Sequence, residues 1–413
     1  MIKGLNGRSM AVLLSVSLAL AACSKPAEKA ADAGGAAAPS GDAVKVGVLH
    51  SLSGTMAISE VTVKNSTMMA IDEINAAGGV MGKKIAAVVE DGGSDPAVFA
   101  QKATKLLESD KVATVFGGWT SASRKAMLPV FEKAGNLLWY PVQFEGNECS
   151  PNIMYSGAQP NQQMLPALAW AKEKGFKTYF LVGSDYVFPR TANLIARKHI
   201  EADGMKVVGE EYQALGGTDF SGVIAKIKAA KPEFILNTLN GDSNVAFFKQ
   251  MSAAGMTPDK VPIMSLSIAE EEAQSMGPSL VKDSYASWNY FETLDSPENA
   301  KFITAYRAKF GADKVTSDPM VHGYVDVYVW KAAVEKAKSF DPAAVRAAAV
   351  TLDAIPTPLG AVKFIANNSL VQTGYIGQLD ANGKFKVIWN SPAPIDPEPY
   401  DPVTFPDKTC TIS

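Results

Sequence analysis

The side chains able to carry acid–base or metal chemistry are few and widely spaced in this chain of 413 residues. The three histidines are His50, His199 and His322, and no HxxxH or HxH spacing joins any two of them. The acidic runs at residues 90–91 and 270–272 could form a catalytic carboxylate pair. Such acidic runs usually lie on a solvated face of the protein or supply negative charge at the start of a helix, and we interpret both runs in this way. The sequence therefore predicts no catalytic residue and no metal site.

Motifs that bind a nucleotide cofactor or position a nucleophilic serine are absent from the sequence. No GxGxxG follows a strand to open a helix, no GxxxxGKS/T occurs, and no GxSxG elbow is present. The 39 basic and 42 acidic side chains are mixed along the chain, and the net charge of −3 leaves no broad basic face for nucleic acid. We therefore predict a protein without a cofactor or a nucleic-acid partner, which binds and releases a ligand.

The elements that must position a binding site alternate regularly between strand and helix. A chain of this length is too long for one hydrophobic core, so two lobes are expected. The first predicted sheet has strands at 44–49, 84–90, 112–116 and 137–140, separated by helices at 61–76, 96–108 and 121–134. The second has strands at 178–182, 206–212, 234–239 and 261–265, again with helices between them. This alternation indicates two mainly parallel α/β sheets flanked by helices.

The last part of the chain has a different pattern. Predicted strands at 360–365, 372–379 and 384–389 are separated by turn signals and should pair antiparallel, and a proline-rich extended tail follows. Open parallel sheets form crevices at the carboxyl ends of their strands. Two such lobes that face one another would hold a ligand between them.

The N-terminal segment is predicted to be an export signal. Residues 1–22 combine Lys3 and Arg8 with an apolar run that is too short to span a bilayer comfortably. The small residues before Cys23 resemble a bacterial lipobox, in which that cysteine is lipidated; the alternative is an ordinary signal peptide with an incidental cysteine. Residues 23–43 are predicted to form a lipidated N-terminus and a disordered linker. We therefore expect a membrane-anchored lipoprotein of the periplasm.

Two cysteines remain beyond the signal, Cys149 and Cys410. The export signal indicates an oxidising compartment, where a pair of cysteines is usually bonded. We predict a disulfide that joins the C-terminal tail to the loop at Cys149, with two unpaired thiols as the alternative.

Several longer motifs resemble those of a known family. Residues 46–54 (VGVLHSLSG) and 70–82 (AIDEINAAGGVMG) resemble the branched-chain amino-acid-binding family, which has a type I periplasmic-binding fold and serves ABC importers. Further motifs are similar to the amide-and-urea branch of that family: 117–124 (GGWTSASR), 139–152 (WYPVQFEGNECSPN), 183–190 (GSDYVFPR), 238–244 (TLNGDSN) and 265–272 (SLSIAEEE). The resemblance covers the chain from about residue 44 to its end.

The resemblance implies a domain organisation and partners. It implies an N-terminal lobe of residues 44–157 and 292–355, a C-terminal lobe of 158–291 and 356–398, a multi-strand hinge, and a tail of 399–413. The implied partners are a urea or small amide ligand, an ABC transporter permease, and the membrane through the lipid anchor.

The implied contacts suit a small, planar, neutral ligand such as urea, which has four N–H donors and one carbonyl. Each buried N–H without a partner costs about 1–3 kcal/mol, so selectivity requires complete pairing. In the first lobe the implied ligand-binding residues are Trp119, Thr120, Ser121, Tyr140, Val142 and Gln143. Ser121 is the leading hydroxyl contact, although Thr120 or Ser121 could equally be a helix N-cap. Val142 stands where an amide-binding relative has a hydroxyl residue, and Gln143 is a candidate to compensate.

The second lobe would complete the site. Tyr186 matches the family's ligand-facing tyrosine, and Asn240 and Ser267 follow strand ends. Residues 288–290 fall where the chain should cross between lobes. Ligand-driven closure of the lobes is the expected mechanism. The alternatives are a binder of formamide, acetamide or branched-chain amino acids, a secreted amidohydrolase, and a sensor lobe of a membrane receptor.

Overall fold

The structure is a computed structural model that describes residues 43–412. The predicted signal peptide (residues 1–22), the predicted lipidation site Cys23 and nearly all of the linker (residues 23–43) lie outside the described residues. Within residues 43–412, no helix has both the length and the apolar character that a membrane span requires.

The first lobe is built on a five-stranded parallel sheet. Its elements in chain order are β1 (Val44–His50), α1 (Ala57–Ala76), β2 (Ile85–Asp91), α2 (Pro96–Thr104), β3 (Val115–Gly117), α3 (Ser121–Ala134), β4 (Leu138–Tyr140) and β5 (Ile153–Tyr155). The strand order is β2-β1-β3-β4-β5. Asp95 caps α2 by accepting the N–H groups of Ala97 and Val98, and Pro96 fills its first turn, so this helix begins where its sequence predicts.

The second lobe contains the next run of elements. They are α4 (Met164–Glu173), β6 (Thr178–Ser184), α5 (Val187–Ala202), β7 (Lys206–Gln213), α6 (Ser221–Ala230), β8 (Phe234–Thr238), α7 (Ser243–Ala253), β9 (Ile263–Ser265), α8 (Glu270–Met276), α9 (Pro278–Val281) and β10 (Tyr285–Trp288). The chain then returns to the first lobe. Trp288 and Phe291 pack in the second lobe's core and Tyr290 in the first lobe's core, so the chain crosses between the lobes around residues 289–291.

Three helices and a small sheet complete the first lobe. They are α10 (Pro297–Phe310), α11 (Asp318–Ala337), α12 (Pro342–Ala349), β11 (Ile355–Thr357), β12 (Gly360–Phe364) and β13 (Leu370–Val371). Helix α11 lies closely against α1, since a Cβ at Gly323 would come within 2.9 Å of the side chains of Thr67 and Val63. This close approach explains a glycine in a helix, where it otherwise lowers stability.

One predicted lobe boundary is corrected by the packing. Residues 356–398 were expected in the C-terminal lobe, but Val362, Phe364 and Leu370 are buried in the core of the first lobe. Only β14 (Tyr375–Leu379) and β15 (Phe385–Asn390) join the second sheet, whose order is β15-β14-β10-β9-β8-β6-β7. The predicted strand at 372–379 therefore does not pair with the strand that precedes it. The β12–β13 hairpin belongs to one lobe and the β14–β15 hairpin to the other.

The C-terminal tail, residues 391–412, contacts both lobes. A disulfide joins Cys410 to Cys149, in the loop between β4 and β5, with a Cα–Cα distance of 5.6 Å. Asp401 lies 2.8 Å from the imidazole of His199 on α5, and Phe405 packs against the second lobe's core. The tail is therefore fixed to the first lobe covalently and to the second lobe by non-covalent contacts.

Candidate ligand site between the lobes

The structure brings the implied ligand-binding residues together where the two lobes meet. Those of the first lobe lie after β3 and at the end of β4, and those of the second lobe follow β6, β8 and β9. Eight of the nine are almost completely buried: Trp119, Thr120, Ser121, Tyr140, Val142, Gln143, Asn240 and Ser267. Tyr186 is partly buried. Carboxyl ends of parallel strands meet at one edge of each sheet, which explains this convergence.

Hydrogen bonds between these residues join the lobes directly. The indole nitrogen of Trp119 donates to the Oδ1 atom of Asn240 at 3.1 Å. The amide nitrogen of Gln143 donates to the backbone oxygen of Leu266 and to the hydroxyl of Ser267, both at 2.9 Å. The lobes therefore touch through side chains of the candidate site itself.

Gln143 has a fixed orientation and one free acceptor. Its two amide hydrogens are both used by the second lobe, so its Oε1 atom points elsewhere. This Oε1 atom is buried and has no hydrogen-bond partner among the described residues. A buried acceptor without a partner is costly, and a ligand N–H would satisfy it.

Tyr186 faces the first lobe from the opposite side. Burial raises the pKa of its hydroxyl well above the usual range, and the nearby Tyr140 phenol and Glu145 carboxylate raise that pKa further. The hydroxyl therefore keeps its proton at neutral pH and is able to donate it. Within residues 43–412, no hydrogen bond uses this hydroxyl, so it is available for a carbonyl oxygen.

Thr120 and Tyr140 already have structural partners. The hydroxyl of Thr120 accepts the backbone N–H of Ser123 at 3.1 Å and so caps α3, which was one of the two interpretations of the sequence. The Tyr140 hydroxyl donates to the backbone oxygen of Trp119. Both residues shape the site more than they offer free polar atoms to it.

A buried charged cluster around Ser121 was not anticipated. We define it as the buried Arg124, Glu145 and Glu148 together with Lys125, whose side chain is 35% exposed. Arg124 is inaccessible to solvent, and its guanidinium donates to Ser121 at 2.9 Å, to Glu145 at 3.1 Å and to Glu148 at 2.8 Å. Lys125 donates to Glu148 at 2.9 Å. The motifs at 117–124 and 139–152 contain Arg124, Glu145 and Glu148, and Lys125 directly follows the first motif, so these charged positions were the signal available in the sequence.

The charges of this cluster balance. Burial opposes charge on Glu148, but the cations of Arg124 and Lys125 outweigh it and hold the pKa of that carboxyl at about 2. Burial likewise opposes charge on Arg124, and Glu148 and Glu145 keep its pKa well above the usual value. Two cations and two carboxylates thus form a neutral set beside Ser121.

The acidic run at 270–272 forms the first turn of α8, as the interpretation as helix-start charge predicts, but it is buried, so the expectation of a solvated face is wrong. The Oε1 atom of Glu272 accepts the hydroxyl of Ser59 on α1 at 2.5 Å, across the lobes, and its Oε2 atom accepts the N–H of Ala269 at 2.8 Å. Burial raises the pKa of Glu272 to about 7 and raises the pKa values of Glu270 and Glu271 well above the usual range. These acids belong to the interface between the lobes.

The other acidic run and the cavities lie apart from the site. Glu90 pairs with Lys102 and Lys105, each at 2.6 Å, and these contacts fix α2 and the segment after it. A cavity of about 190 Å³ opens on the first lobe between α10, α11 and β11, and none of the implied ligand-binding residues lines it.

Two lobes with parallel sheets, which meet over buried polar groups at the ends of their strands, define the class of two-lobe solute-binding proteins. The chain belongs to the family of the periplasmic binding protein domain, whose model matches residues 44–405. The two-lobe periplasmic-binding fold predicted from the sequence is thereby confirmed.

Individual relatives agree with this assignment. The chain is 25% identical over 380 residues to a Leu/Ile/Val-binding protein homolog 7 of Brucella abortus (strain 2308), with 87% of this chain and 94% of the relative covered. The branched-chain amino acid transporter substrate binding protein LivJ of Streptococcus pneumoniae, solved with isoleucine, superposes with a TM-score of 0.74 at 24% identity. That match covers 86% of this chain and all of the other chain.

A third relative has another ligand. The solute binding protein of an R. palustris ABC transporter, solved with 4-hydroxybenzoate, has a TM-score of 0.74 and 24% identity over 85% of this chain and 97% of its own. The family and these relatives identify the chain as an extracytoplasmic, periplasmic solute-binding protein for a small ligand and not as an enzyme.

Proposed function

We propose that this protein captures urea between its lobes and delivers it to the permease of an ABC importer. The observations that carry the proposal are the unpartnered, buried Oε1 atom of Gln143 and the free hydroxyl of Tyr186, which lies near the Glu145 carboxylate that holds Ser121. These groups offer acceptors for N–H donors on one side and a donor for a carbonyl on the other. Urea has that complement of groups.

Charge balance supports a neutral ligand. The charged cluster consists of the buried Arg124, Glu145 and Glu148 and the partly exposed Lys125 and is neutral as a set, so it leaves no uncompensated charge for an ammonium or a carboxylate. Burying a charge without a partner is far more costly than burying a polar group that is fully hydrogen-bonded. An amino acid or a benzoate would bring a carboxylate next to Glu145, and repulsion would weaken its binding.

Contact between the lobes supports a small ligand. Trp119 meets Asn240 at 3.1 Å, and Gln143 meets Ser267 at 2.9 Å, so the walls of the site touch on two sides. Aromatic rings and Val142 fill the surrounding space. A ligand enclosed by these contacts has room for few heavy atoms.

Formamide and acetamide are the second candidates, because they share the carbonyl and the N–H donors of urea. The relatives solved with isoleucine and 4-hydroxybenzoate make carboxylates the third class to test. Isothermal titration calorimetry of the mature protein with urea, formamide, acetamide, leucine and 4-hydroxybenzoate separates these ligands. We expect the tightest binding with urea; heat from leucine or 4-hydroxybenzoate alone would contradict the proposal.

The lipid anchor is part of the proposed function. Cys23 follows an apolar segment and small residues, and a lipid there would keep the solute-binding body at the membrane that holds the permease. Metabolic labelling of the full chain with a radioactive fatty acid tests this directly. We expect label on the wild type and none on Cys23→Ala, and equal labelling of both would refute the anchor.

A further inference from the structure

The hydroxyl of Ser121 is held by two charged partners. The Nη1 atom of Arg124 donates to its oxygen at 2.9 Å, and the hydroxyl donates its own hydrogen to the Oε2 atom of Glu145. A serine hydroxyl has one hydrogen and two lone pairs. Its hydrogen and one lone pair are therefore used inside the first lobe, and one lone pair remains.

The direction of these hydrogen bonds is fixed by charge. The other oxygen of Glu145 accepts from the Nη2 atom of Arg124 at 3.1 Å and lies 3.6 Å from the ammonium of Lys125. A guanidinium can only donate, so its contacts here fix the Ser121 oxygen and the Oε1 atom of Glu145 as acceptors. Ser121 must therefore donate to Glu145 and accept from Arg124.

The two partners are themselves immobilised. The Nε and Nη2 atoms of Arg124 contact Glu148 at 2.8 and 3.4 Å, and Glu148 also accepts the Tyr155 hydroxyl at 3.0 Å. The guanidinium lies 4.6 Å from the centre of the Phe144 ring. Such a paired and stacked guanidinium keeps its donors in one geometry.

We propose that Arg124 and Glu145 are positioning residues that make Ser121 an acceptor-only group, so that the site selects ligands presenting an N–H, and not an oxygen, at this position. The inference rests on the proposed function, which places the ligand beside Ser121. Gln143 is the second acceptor, since its Oε1 atom has no partner among the described residues.

Two separate acceptors favour ligands with N–H groups on two nitrogens. Urea can donate from one nitrogen to Ser121 and from the other to Gln143. Acetamide has one nitrogen and places a methyl group at the second position, so it leaves one buried acceptor unpaired. The selected class is therefore ureas over primary amides, by roughly tenfold for one missing hydrogen bond.

The test is the ratio of the acetamide dissociation constant to the urea dissociation constant, measured by calorimetry on the mature protein, which is large when urea is preferred. Ser121→Ala removes the acceptor and should reduce the preference for urea roughly tenfold, because urea loses a hydrogen bond and acetamide does not. Glu145→Gln frees the serine hydrogen to turn toward the ligand, and the same ratio should fall. Ser123→Ala, on the same helix, removes a hydroxyl that pairs with Thr120, and its ratio should equal that of the wild type.

If Ser121 and Glu145 had only a structural role, Ser121→Ala and Glu145→Gln would weaken the binding of urea and of acetamide equally. The ratio of the dissociation constants would then be unchanged, and that result would overturn the inference. Thermal unfolding of each variant shows whether it is folded. If Glu145→Gln does not fold, the ratio in Ser121→Ala alone decides. Wild-type protein that binds neither urea nor acetamide would refute the proposed function itself, which is a different outcome from binding with an unchanged ratio.

Discussion

The indole nitrogen of Trp119 donates a hydrogen bond to the side chain of Asn240, 121 residues further along the chain and in the other lobe. Both side chains are buried, and Asn240 is also held by its own donation to the backbone oxygen of Thr238 at 3.2 Å. This bond exists only when the lobes are in contact. It therefore links the geometry of the candidate site to the closed arrangement of the protein.

Trp119→Phe should weaken urea binding roughly tenfold, because the Asn240 oxygen loses its buried donor in the closed state. Trp139→Phe is a matched control, since the Trp139 indole donates to Thr114 at 3.0 Å within the first lobe alone. The control should lower the thermal unfolding temperature and leave urea affinity unchanged. Equal affinity losses in the two variants, measured by calorimetry, would mean that closure does not depend on this bond.

Gln143→Leu should abolish most urea binding, with an affinity loss on the order of 10- to 100-fold, because it removes one ligand acceptor and two bonds between the lobes. Gln163→Leu serves as the control. Gln163 donates to the same Leu266 oxygen at 3.2 Å and to Ser287, entirely within the second lobe. It should affect stability more than affinity. A Gln143→Leu protein that binds urea as tightly as the wild type would remove Gln143 from the site.

Urea affinity should depend on pH through Glu272. Where the lobes meet, burial raises the pKa of Glu272 from 4.5 to about 7. A raised pKa favours the protonated form, so closure is fully favoured below about pH 4.5 and weakened as the pH rises through 7. We expect affinity to fall by up to about 30-fold between pH 5.5 and 8.5 and the protein to take up protons on binding.

The control for this dependence is Asp326→Asn. Burial raises the pKa of Asp326 to about 7 as well, but Asp326 lies inside the first lobe, where it accepts from Ser156 at 2.9 Å. Calorimetry across this pH range should show a smaller slope in Glu272→Gln and a wild-type slope in Asp326→Asn. A wild-type slope in Glu272→Gln would disprove the linkage.

The charged cluster should make the protein sensitive to acid. The pKa of Glu148 is about 2, well below its usual value, so this carboxylate stabilises the fold above about pH 4.5, and the stabilisation is lost as the pH falls through 2. A shift of this size corresponds to on the order of 3 kcal/mol. Thermal unfolding between pH 2 and 6 should show a shallower pH dependence for Glu148→Gln than for the wild type, and identical curves would contradict this.

Arg124→Met should destabilise the protein at neutral pH by about 3–5 kcal/mol, because it leaves the buried Glu145 and Glu148 with only the partly exposed Lys125 as a cation. Adding Glu148→Gln to this variant should restore part of the loss, since one unpaired carboxylate is removed. Guanidinium unfolding at pH 7 measures both effects. A double variant no more stable than Arg124→Met would indicate that unpaired charge is not the cause.

Removing the disulfide should release the tail from the first lobe. Cys149→Ser combined with Cys410→Ser should lower stability by roughly 2–4 kcal/mol, because the bond closes a loop across 261 residues of sequence separation. Reduction of the wild type by dithiothreitol should lower the unfolding temperature similarly and leave the double variant unaffected. An unchanged unfolding temperature after both treatments would show that non-covalent contacts alone hold the tail.

The sequence by itself determined the local elements and the class of fold. Capping residues such as Asp95, followed by proline, and regular runs of apolar residues act within one or two turns of chain. The alternation of strand and helix then requires parallel sheets, and the ends of parallel strands bring loops such as those of Ser121 and Gln143 to one edge. Those loops could therefore be chosen from the motifs before any contact was known.

Only the tertiary structure decided which charges are buried and how the polar atoms are paired. Glu272 follows a strand at the start of a short helix, a pattern that is equally suited to solvent; it is buried because Ser59, 213 residues away, packs on it. Arg124 and Glu145 acquire their roles from each other, and the β12–β13 hairpin belongs to the first lobe because its side chains pack there. The burial of a charged side chain and the pairing of a polar atom depend on residues that are distant in sequence. They therefore cannot be predicted from local sequence patterns.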